Sequence, residues 1–236
     1  MSSKTLPSIF LLPSRLLLFL IFQLFIALFL NSFEQSAKYW ILSASMTNVL
    51  SITALIYVFK LDGLRFFDLF SFNKTSFKKD ILIFLGITLV CGPIVFLPNY
   101  YISIWLWGDS AIPYNMMFKP IPLPMVYVLL ILFPTTIAFG ELATYFGYIM
   151  PVLKEHLKRK WIAVLFPVLF LSAQHCTLPF IPDFKFLLYR LLMYFPFACL
   201  IGITLYKRPR LFPYFAIMHG LLDFGTVLVL FEISKG

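Results

Sequence analysis

Four ionisable residues lie well inside long apolar stretches of this sequence: Glu141, His175, His219 and Asp223. Ionisable side chains are costly in an apolar medium, and where they occur there they usually mark a functional site. A carboxylate can take a proton from water while an imidazole orients that water, and a second imidazole can donate to a developing oxyanion. Side chains of these types, if they meet, could hydrolyse an amide bond.

The positions of the four residues predict that they do meet. At about 1.5 Å per helical residue, Glu141, His175 and Asp223 each lie roughly 20 Å from the nearest basic loop, and His219 lies roughly 14 Å from it. His219 and Asp223 are one helical turn apart and therefore share a helix face. We expect no Lys or Arg at this depth. The alternative is a set of interhelical hydrogen bonds that only stabilises the bundle.

The elements that must position these residues are membrane-spanning helices. The chain is 61% hydrophobic and 12% charged, whereas soluble domains carry about 25% charged residues. Its apolar stretches are long enough to cross a bilayer and show no period of two, which favours helices over a β-barrel. We predict an all-α, polytopic transmembrane bundle of about seven spans, at residues 16–32, 39–59, 81–106, 125–152, 161–181, 186–206 and 211–231.

The basic residues lie between the apolar stretches, a pattern typical of membrane topology and not of nucleic-acid binding. Alternate inter-span segments hold 14 and 5 of the 19 Lys and Arg residues. The positive-inside rule therefore predicts a cytoplasmic N-terminus and an external C-terminus. We also expect a water-accessible cavity that opens to the cytoplasm, bounded by the spans that carry Glu141, His175 and His219.

Three short motifs contain the four residues. They are GELATYFGYIMP at 140–151, LSAQH at 171–175 and HGLLD at 219–223. In order, spacing and placement on separate spans they resemble the motifs EExxxR, FxxxH and HxxxN/D of the CPBP family. This family comprises the CAAX proteases and bacteriocin-processing enzymes and is also called the Abi family. The resemblance covers roughly residues 125–231.

The resemblance implies an intramembrane endopeptidase that hydrolyses a membrane-associated peptide or protein, in a bacterial cell membrane. It implies that Glu141 and His175 activate water and that His219 and Asp223 stabilise the tetrahedral intermediate. An ionised Asp223 cannot donate a hydrogen bond, so it would have to be protonated or act by orienting His219.

The sequence departs from the family at two positions of the first motif. Leu142 stands where the motif has its second Glu, and Phe146 stands where it has Arg. Because both are apolar, no orphan charge is left. This concerted change is compatible with a reduced active site and also with a catalytically inactive bacteriocin-immunity or regulatory protein. A third alternative, a proton-coupled carrier, would also use buried Glu, Asp and His, although no inverted repeat is visible.

The resemblance places a four-span catalytic core at 125–236, after an N-terminal region of three spans at 1–124. Two His with Glu and Asp could also bind zinc in a tetrahedral site. Since the HExxH signature is absent and the family is usually explained through Glu-activated water, we predict no cofactor. If zinc is present, Glu141, His175 and His219 would be its ligands. The expected partners are membrane lipid and a membrane-associated peptide or protein, and no nucleic acid.

Overall fold

A computed structural model describes residues 5–236, and all regular secondary structure in that range is helical. A π-helical segment, Ala143–Ile149, joins the α-helices on either side of it into one continuous helix, and a 3-10 turn, His175–Thr177, extends the α-helix before it. The α-helices are α1 (Thr5–Leu30), α2 (Phe33–Ser36), α3 (Trp40–Leu61), α4 (Phe77–Trp107), α5 (Ile112–Met117), α6 (Leu123–Leu142), α7 (Met150–His156), α8 (Ile162–Gln174), α9 (Phe184–Lys207) and α10 (Phe212–Ser234).

Six helical segments within residues 5–236 are long and apolar enough to cross a membrane. They contain α1, α3, α4, the continuous helix α6–α7, α9 and α10. Large apolar side chains cover their outer faces; Leu28, Leu89 and Ile131 are 76%, 79% and 72% exposed. Contiguous apolar surface of this kind suits lipid and not water. The predicted all-α, polytopic membrane architecture is confirmed at this level.

The helix found at the predicted span 161–181 is shorter than a membrane-spanning helix. Its helix runs from Ile162 to Thr177, which at about 1.5 Å per residue falls short of the roughly 30 Å hydrocarbon core. Pro179 and Pro182 follow directly. Proline has no backbone N–H and cannot continue a helix, so the chain passes on to α9 as an irregular segment.

The connections between the long helices lie at two ends of the bundle. At one end, which we call the basic end, three contacts tie connecting segments and helix ends together. They are the Asp80–Arg210 ion pair at 2.7 Å, the Tyr148–Asp62 hydrogen bond at 3.2 Å and the bond from Lys154 to Tyr206 O at 3.4 Å. At the opposite end, segments 33–38, 116–120 and 180–182 line one shared cavity. Successive long helices therefore alternate in direction.

Two apolar clusters fill the interior, one towards each end. Helices α1 and α6 contribute to both clusters, and so does the chain that runs from α8 to the residue after its 3-10 turn. Leu12, Leu142 and Leu171 belong to the cluster at the basic end, and Phe19, Ile137 and Leu178 to the cluster at the opposite end. Between these contributions the same chain segments carry Arg15, Glu141 and Gln174, all buried. The polar residues thus form a layer in the middle of the bundle, separated from both ends by apolar side chains.

Helix α10 packs most closely against α6, at Gly220. A Cβ atom at this position would lie 2.9 Å from the carbonyl oxygen of Pro134 and 3.1 Å from the Cβ of Ala138. Only a residue without a side chain allows this approach without a shift of the backbone. Because His219 precedes Gly220, the close crossing brings its imidazole next to Glu141 on α6.

Candidate functional site

Glu141 is the centre of the polar layer and is only 2% exposed. Its Oε2 accepts a hydrogen bond from Gln174 Nε2 at 2.7 Å and a longer one from Arg15 Nη2 at 3.5 Å. Its Oε1 lies 3.1 Å from His219 Nε2. Three different helices therefore supply donors to this one carboxylate, which compensates the cost of burying its charge.

His219 lies between two carboxylates. Its Nε2 is 3.1 Å from Glu141 Oε1 and 3.3 Å from Asp223 Oδ2. Both partners accept when ionised, so this nitrogen carries a proton that the two carboxylates share. Its Nδ1 is buried without a hydrogen-bond partner in the described part of the chain. The one-turn spacing predicted from the sequence thus joins His219 to Asp223, and the crossing of α10 with α6 joins both to Glu141.

His175 is held in one orientation on the wall of the same cavity. Its Nδ1 lies 2.8 Å from Leu171 O, so this nitrogen donates to the carbonyl and, in a neutral imidazole, Nε2 is left as an acceptor. Its ring stacks on Tyr194, with centroids 3.6 Å apart and an interplanar angle of 16°. It lines one cavity together with Glu141, His219 and Asp223. The structure therefore gathers all four sequence-predicted residues around one space.

Arg15 is a member of the polar layer that the sequence analysis did not identify. Its side chain is fully buried, and it donates to Gln174 Oε1 at 2.9 Å, Asn48 Oδ1 at 2.8 Å and Ser51 Oγ at 3.2 Å, besides Glu141. The expectation of no Lys or Arg at this depth is wrong. Arg15 stands at the edge of the predicted first span, but the helix begins at Thr5 and carries it inside.

Gly140 allows Arg15 to reach Glu141. A Cβ atom at Gly140 would lie 3.3 Å from Asn48 Oδ1 and 3.4 Å from Arg15 Nη1, closer than ordinary packing permits. The glycine before the glutamate therefore leaves room for the guanidinium and for its amide acceptor. Asn48 and Ser51 lie within the apolar stretch that forms α3, and buried polar groups are nearly always hydrogen-bonded. These two residues were therefore the sequence signal that a donor would be buried beside α3.

Arg190 is a second buried cation that the sequence analysis missed. It lies inside α9 and is 1% exposed. Its Nε donates to His175 O at 3.1 Å and its Nη2 to Leu178 O at 2.5 Å. These bonds fix the 3-10 turn that carries His175, so Arg190 positions the histidine through the backbone. The count of 19 basic residues in inter-span segments includes Arg190, and that placement is wrong.

Leu142 and Phe146, the apolar replacements in the first motif, belong to the cluster at the basic end, where they are 1% and 3% exposed. Phe146 lies in the π-helical segment and packs where α9 has Gly202. Single-turn π-segments often occur beside functional sites because they change which side chains face inward. No side chain of this segment supplies a charge to Glu141; the guanidinium comes from α1 instead.

The cavity beside the polar layer has a volume of about 570 Å³. Its walls come mainly from α4, α5, α6, α9 and α10, with Trp40 of α3 and the turn that carries His175. They extend from the polar layer to Ser110, Tyr114 and Phe118 near the opposite end. None of its lining residues lies in the connecting segments of the basic end. The expected opening towards the segments 60–80, 154–160 and 207–210 is therefore wrong. There the apolar cluster of α7, α9 and α10 closes the bundle.

Helices α4 and α10 border this cavity on the side that faces lipid. Near the basic end they touch, where Phe84 packs edge-on against Phe215 with ring centroids 5.3 Å apart. Farther along, Phe96 of α4 and Leu222 of α10 line the cavity and are 61% and 53% exposed. Both helices thus leave apolar cavity-lining side chains exposed at the surface of the bundle, and the lining extends towards the opposite end.

Glu141, His175 and His219, which would hold a zinc ion if one is bound, line the same cavity. Within residues 5–236, no group of three or more His, Cys, Asp or Glu side chains is arranged to hold a metal ion. Glu141 directs its oxygens at Gln174, Arg15 and His219.

Comparison with family models, with curated proteins and with solved structures found no match for this chain. A function is therefore inferred from the geometry of the site and from the three motifs.

Proposed function

We propose that this chain is an intramembrane endopeptidase of the CPBP type that hydrolyses a membrane-associated peptide with a water molecule activated by Glu141. One observation carries the proposal. Glu141, His175, His219 and Asp223, from three separate stretches of sequence, line one cavity in the middle of the bundle, between its two apolar clusters. Interhelical hydrogen bonding alone would not require four titratable groups around an open space.

In the proposed reaction, a water molecule in the cavity gives a proton to Glu141 while its oxygen attacks the carbonyl carbon of the substrate. His175 orients this water through Nε2, the nitrogen left free by the bond from Nδ1 to Leu171 O. The C–N bond then breaks, and the leaving nitrogen takes the proton from Glu141. Arg15 and Gln174 hold the carboxylate in one orientation throughout.

The developing oxyanion would be stabilised by His219. Its Nε2 proton points at Glu141 and Asp223 before the reaction. Once Glu141 has taken a proton, its attraction for that N–H weakens, and the N–H becomes available to the oxyanion. Asp223 would orient the imidazole, which is the role that an ionised carboxylate can play.

The experiment uses the full chain reconstituted in lipid and a set of apolar peptides as substrates, with cleavage followed by mass spectrometry. We expect cleavage by the wild type and a loss of at least about 100-fold in Glu141→Gln and in His175→Gln. Glu155→Gln, at an exposed site of α7, is the matched control and should cleave normally. Unchanged cleavage in Glu141→Gln and His175→Gln would refute the proposal.

A second candidate, a membrane protein that binds a peptide without cleaving it, is favoured by one observation. Both oxygens of Glu141 are already engaged by protein donors, as in a purely structural network. An immunity or regulatory protein would need the cavity but not the chemistry. If Glu141→Gln keeps full biological function while no peptide is cleaved by the wild type, this candidate is preferred.

We propose that the basic end faces the cytoplasm. Once the two buried arginines are removed from the count, the alternate segments hold 13 and 4 basic residues, so the positive-inside rule still applies clearly. This orientation gives a cytoplasmic N-terminus, an external C-terminus and a cavity open to the outer side. The catalytic residues belong to the four-span part, 125–236, but Arg15 joins them from 1–124.

A further inference from the structure

Arg190 is a buried cation at the wall of the cavity with no carboxylate partner. It is 1% exposed and lines the cavity. The ion pairs among residues 5–236 do not include it. Among the described residues its partners are uncharged: two backbone carbonyls, the Met117 sulfur, the Tyr194 hydroxyl and the Tyr194 ring, whose centroid lies 4.8 Å from the guanidinium carbon. A buried charge without a counter-ion is costly, and an anion that enters the cavity would offset that cost.

One edge of the Arg190 guanidinium makes only weak hydrogen bonds. Nη1 donates to Met117 Sδ at 3.3 Å and to Tyr194 Oη at 3.2 Å. A thioether is a weak acceptor, and Met117 and Tyr194 both line the cavity. A carboxylate would displace the sulfur, because a charge-assisted hydrogen bond is roughly twice as strong as a neutral one. Tyr194 accepts from Arg190 and keeps its own O–H to donate to the same carboxylate.

The other lining residues of the cavity indicate which class of ligand would bring this carboxylate. Val95, Phe96 and Phe197 make much of the surface apolar, and the exposed lining residues Phe96 and Leu222 lie on α4 and α10. Asn99 of α4 adds an amide to this wall; its Oδ1 accepts from Tyr189 at 2.6 Å, which leaves the amide N–H donors for a ligand. Donors of this kind suit the backbone carbonyls of a peptide and have no partner on an alkyl chain.

We propose that Arg190 and Tyr194 bind the carboxyl terminus of an apolar peptide that enters the cavity between α4 and α10. Cleavage of the bound peptide rests on the proposed function. If that function is right, the peptide bonds near Glu141 belong to the C-terminal end of the substrate. Binding itself needs no hydrolysis and is therefore testable separately.

The test measures binding to the full-length Glu141→Gln protein in lipid nanodiscs, so that no turnover disturbs the equilibrium. The probe is a short apolar peptide with a fluorophore at its N-terminus, prepared with either a free carboxyl terminus or a C-terminal amide. Fluorescence anisotropy gives the two affinities. We expect the acid to bind at least about tenfold more tightly than the amide, from one charge-assisted contact. Equal affinities would overturn the proposal, whether or not the wild type cleaves peptides.

The ratio of the two affinities is then measured in variants. Arg190→Met should reduce the ratio to near one while amide binding persists, and Tyr194→Phe, which keeps the ring stacked on His175, should lower it severalfold. Arg208→Met removes an exposed cation and should leave the ratio unchanged. An unchanged ratio in Arg190→Met contradicts the assignment. If Arg190→Met does not fold, Tyr194→Phe and the acid–amide comparison decide.

A fatty acid is the competing source of a carboxylate on an apolar chain. Oleate is added to the complex of the protein with the acid peptide. We expect displacement only at concentrations far above the affinity of the peptide, because the alkyl chain offers nothing to Asn99. Displacement by oleate at concentrations equal to those of the unlabelled peptide would show that the site binds lipid carboxylates and would refute a peptide site.

Discussion

Arg15 and Glu141 are 126 positions apart in the sequence and meet in the middle of the bundle, where Nη2 and Oε2 lie 3.5 Å apart. Both side chains are buried, at 0% and 2% exposure. The guanidinium also donates to Gln174 Oε1, and the Gln174 amide in turn donates to the same carboxylate oxygen, Glu141 Oε2. The first helix is therefore part of the site and cannot be treated as a separate membrane anchor.

Removing one partner of this pair leaves the other as an uncompensated buried charge. We expect Arg15→Met to lower the free energy of unfolding by about 3–5 kcal/mol, the usual cost of breaking a buried ion pair. The double variant Arg15→Met/Glu141→Gln should lose less than the sum of the two single variants, because it leaves no isolated charge. The measurement is unfolding of the detergent-solubilised chain, monitored by circular dichroism.

Arg208→Met is the control for that experiment. Arg208 is exposed at the basic end, and surface substitutions usually change stability by less than about 0.5 kcal/mol. If the effects of Arg15→Met and Glu141→Gln simply add, the two side chains do not interact in the folded protein and their contact is not energetically important.

The close crossing at Gly220 gives a prediction about geometry. Gly220→Ala places a methyl group 2.9 Å from the carbonyl oxygen of Pro134, so α10 must move away from α6 and carry His219 away from Glu141. We expect a loss of about 1–3 kcal/mol in stability and a fall in peptide cleavage of at least about 100-fold, since small displacements of catalytic groups have large effects on rate. Stability and initial cleavage rates are measured on the same reconstituted samples.

Gly225→Ala, on the same helix, is the matched control. No heavy atom lies within 4 Å of the Cβ position at Gly225, so the methyl group meets open space. Activity should stay within about twofold of the wild type and stability should not fall. Equal loss of activity in Gly220→Ala and Gly225→Ala would show that helix flexibility, and not the distance between His219 and Glu141, controls the reaction.

Substitutions of Asp223 test how the oxyanion is stabilised. Asp223→Asn keeps an acceptor for His219 Nε2 and adds an N–H donor, so we expect it to retain cleavage within about tenfold of the wild type. Asp223→Leu removes the acceptor that orients His219 and should lower kcat by about 100-fold or more, the usual effect of losing one oxyanion donor. A kcat in Asp223→Leu equal to that of the wild type would exclude Asp223 from the site.

The helices could be predicted from the sequence because each depends on a local property, a run of apolar residues long enough for a membrane. The exception was the stretch 161–181, where proline ends the helix at Thr177. The candidate residues could also be identified, since a titratable side chain within an apolar run is rare. Depth along a helix is a one-dimensional quantity, and it indicated that Glu141 and Asp223 would lie at one level.

The two buried arginines could not be predicted in the same way. Arg15 lies near the end of an apolar run, where positive charges ordinarily mark the membrane boundary. Its burial depends on acceptors supplied by other helices, Asn48 and Gln174 among them, and such pairings are long-range. The prediction that the cavity opens towards the basic end was wrong for a related reason. Positions along a helix give depth, but they do not show where neighbouring helices such as α4 and α10 separate.

The direction of the cavity can be tested by cysteine accessibility in a background without the native cysteines. Thr226 of α10 lines the cavity, whereas Leu228 of the same helix is 41% exposed and lies outside it. A membrane-impermeant thiol reagent should label Thr226→Cys from the same side as Asp109→Cys, through the open end of the cavity. Leu228→Cys should stay unlabelled, because it faces lipid. Lys158→Cys, at the basic end, should react only from the other side. Labelling of Thr226→Cys from the Lys158 side would mean that the cavity opens through the basic end in the membrane, and the proposed entry of substrate between α4 and α10 from the opposite end would then fail.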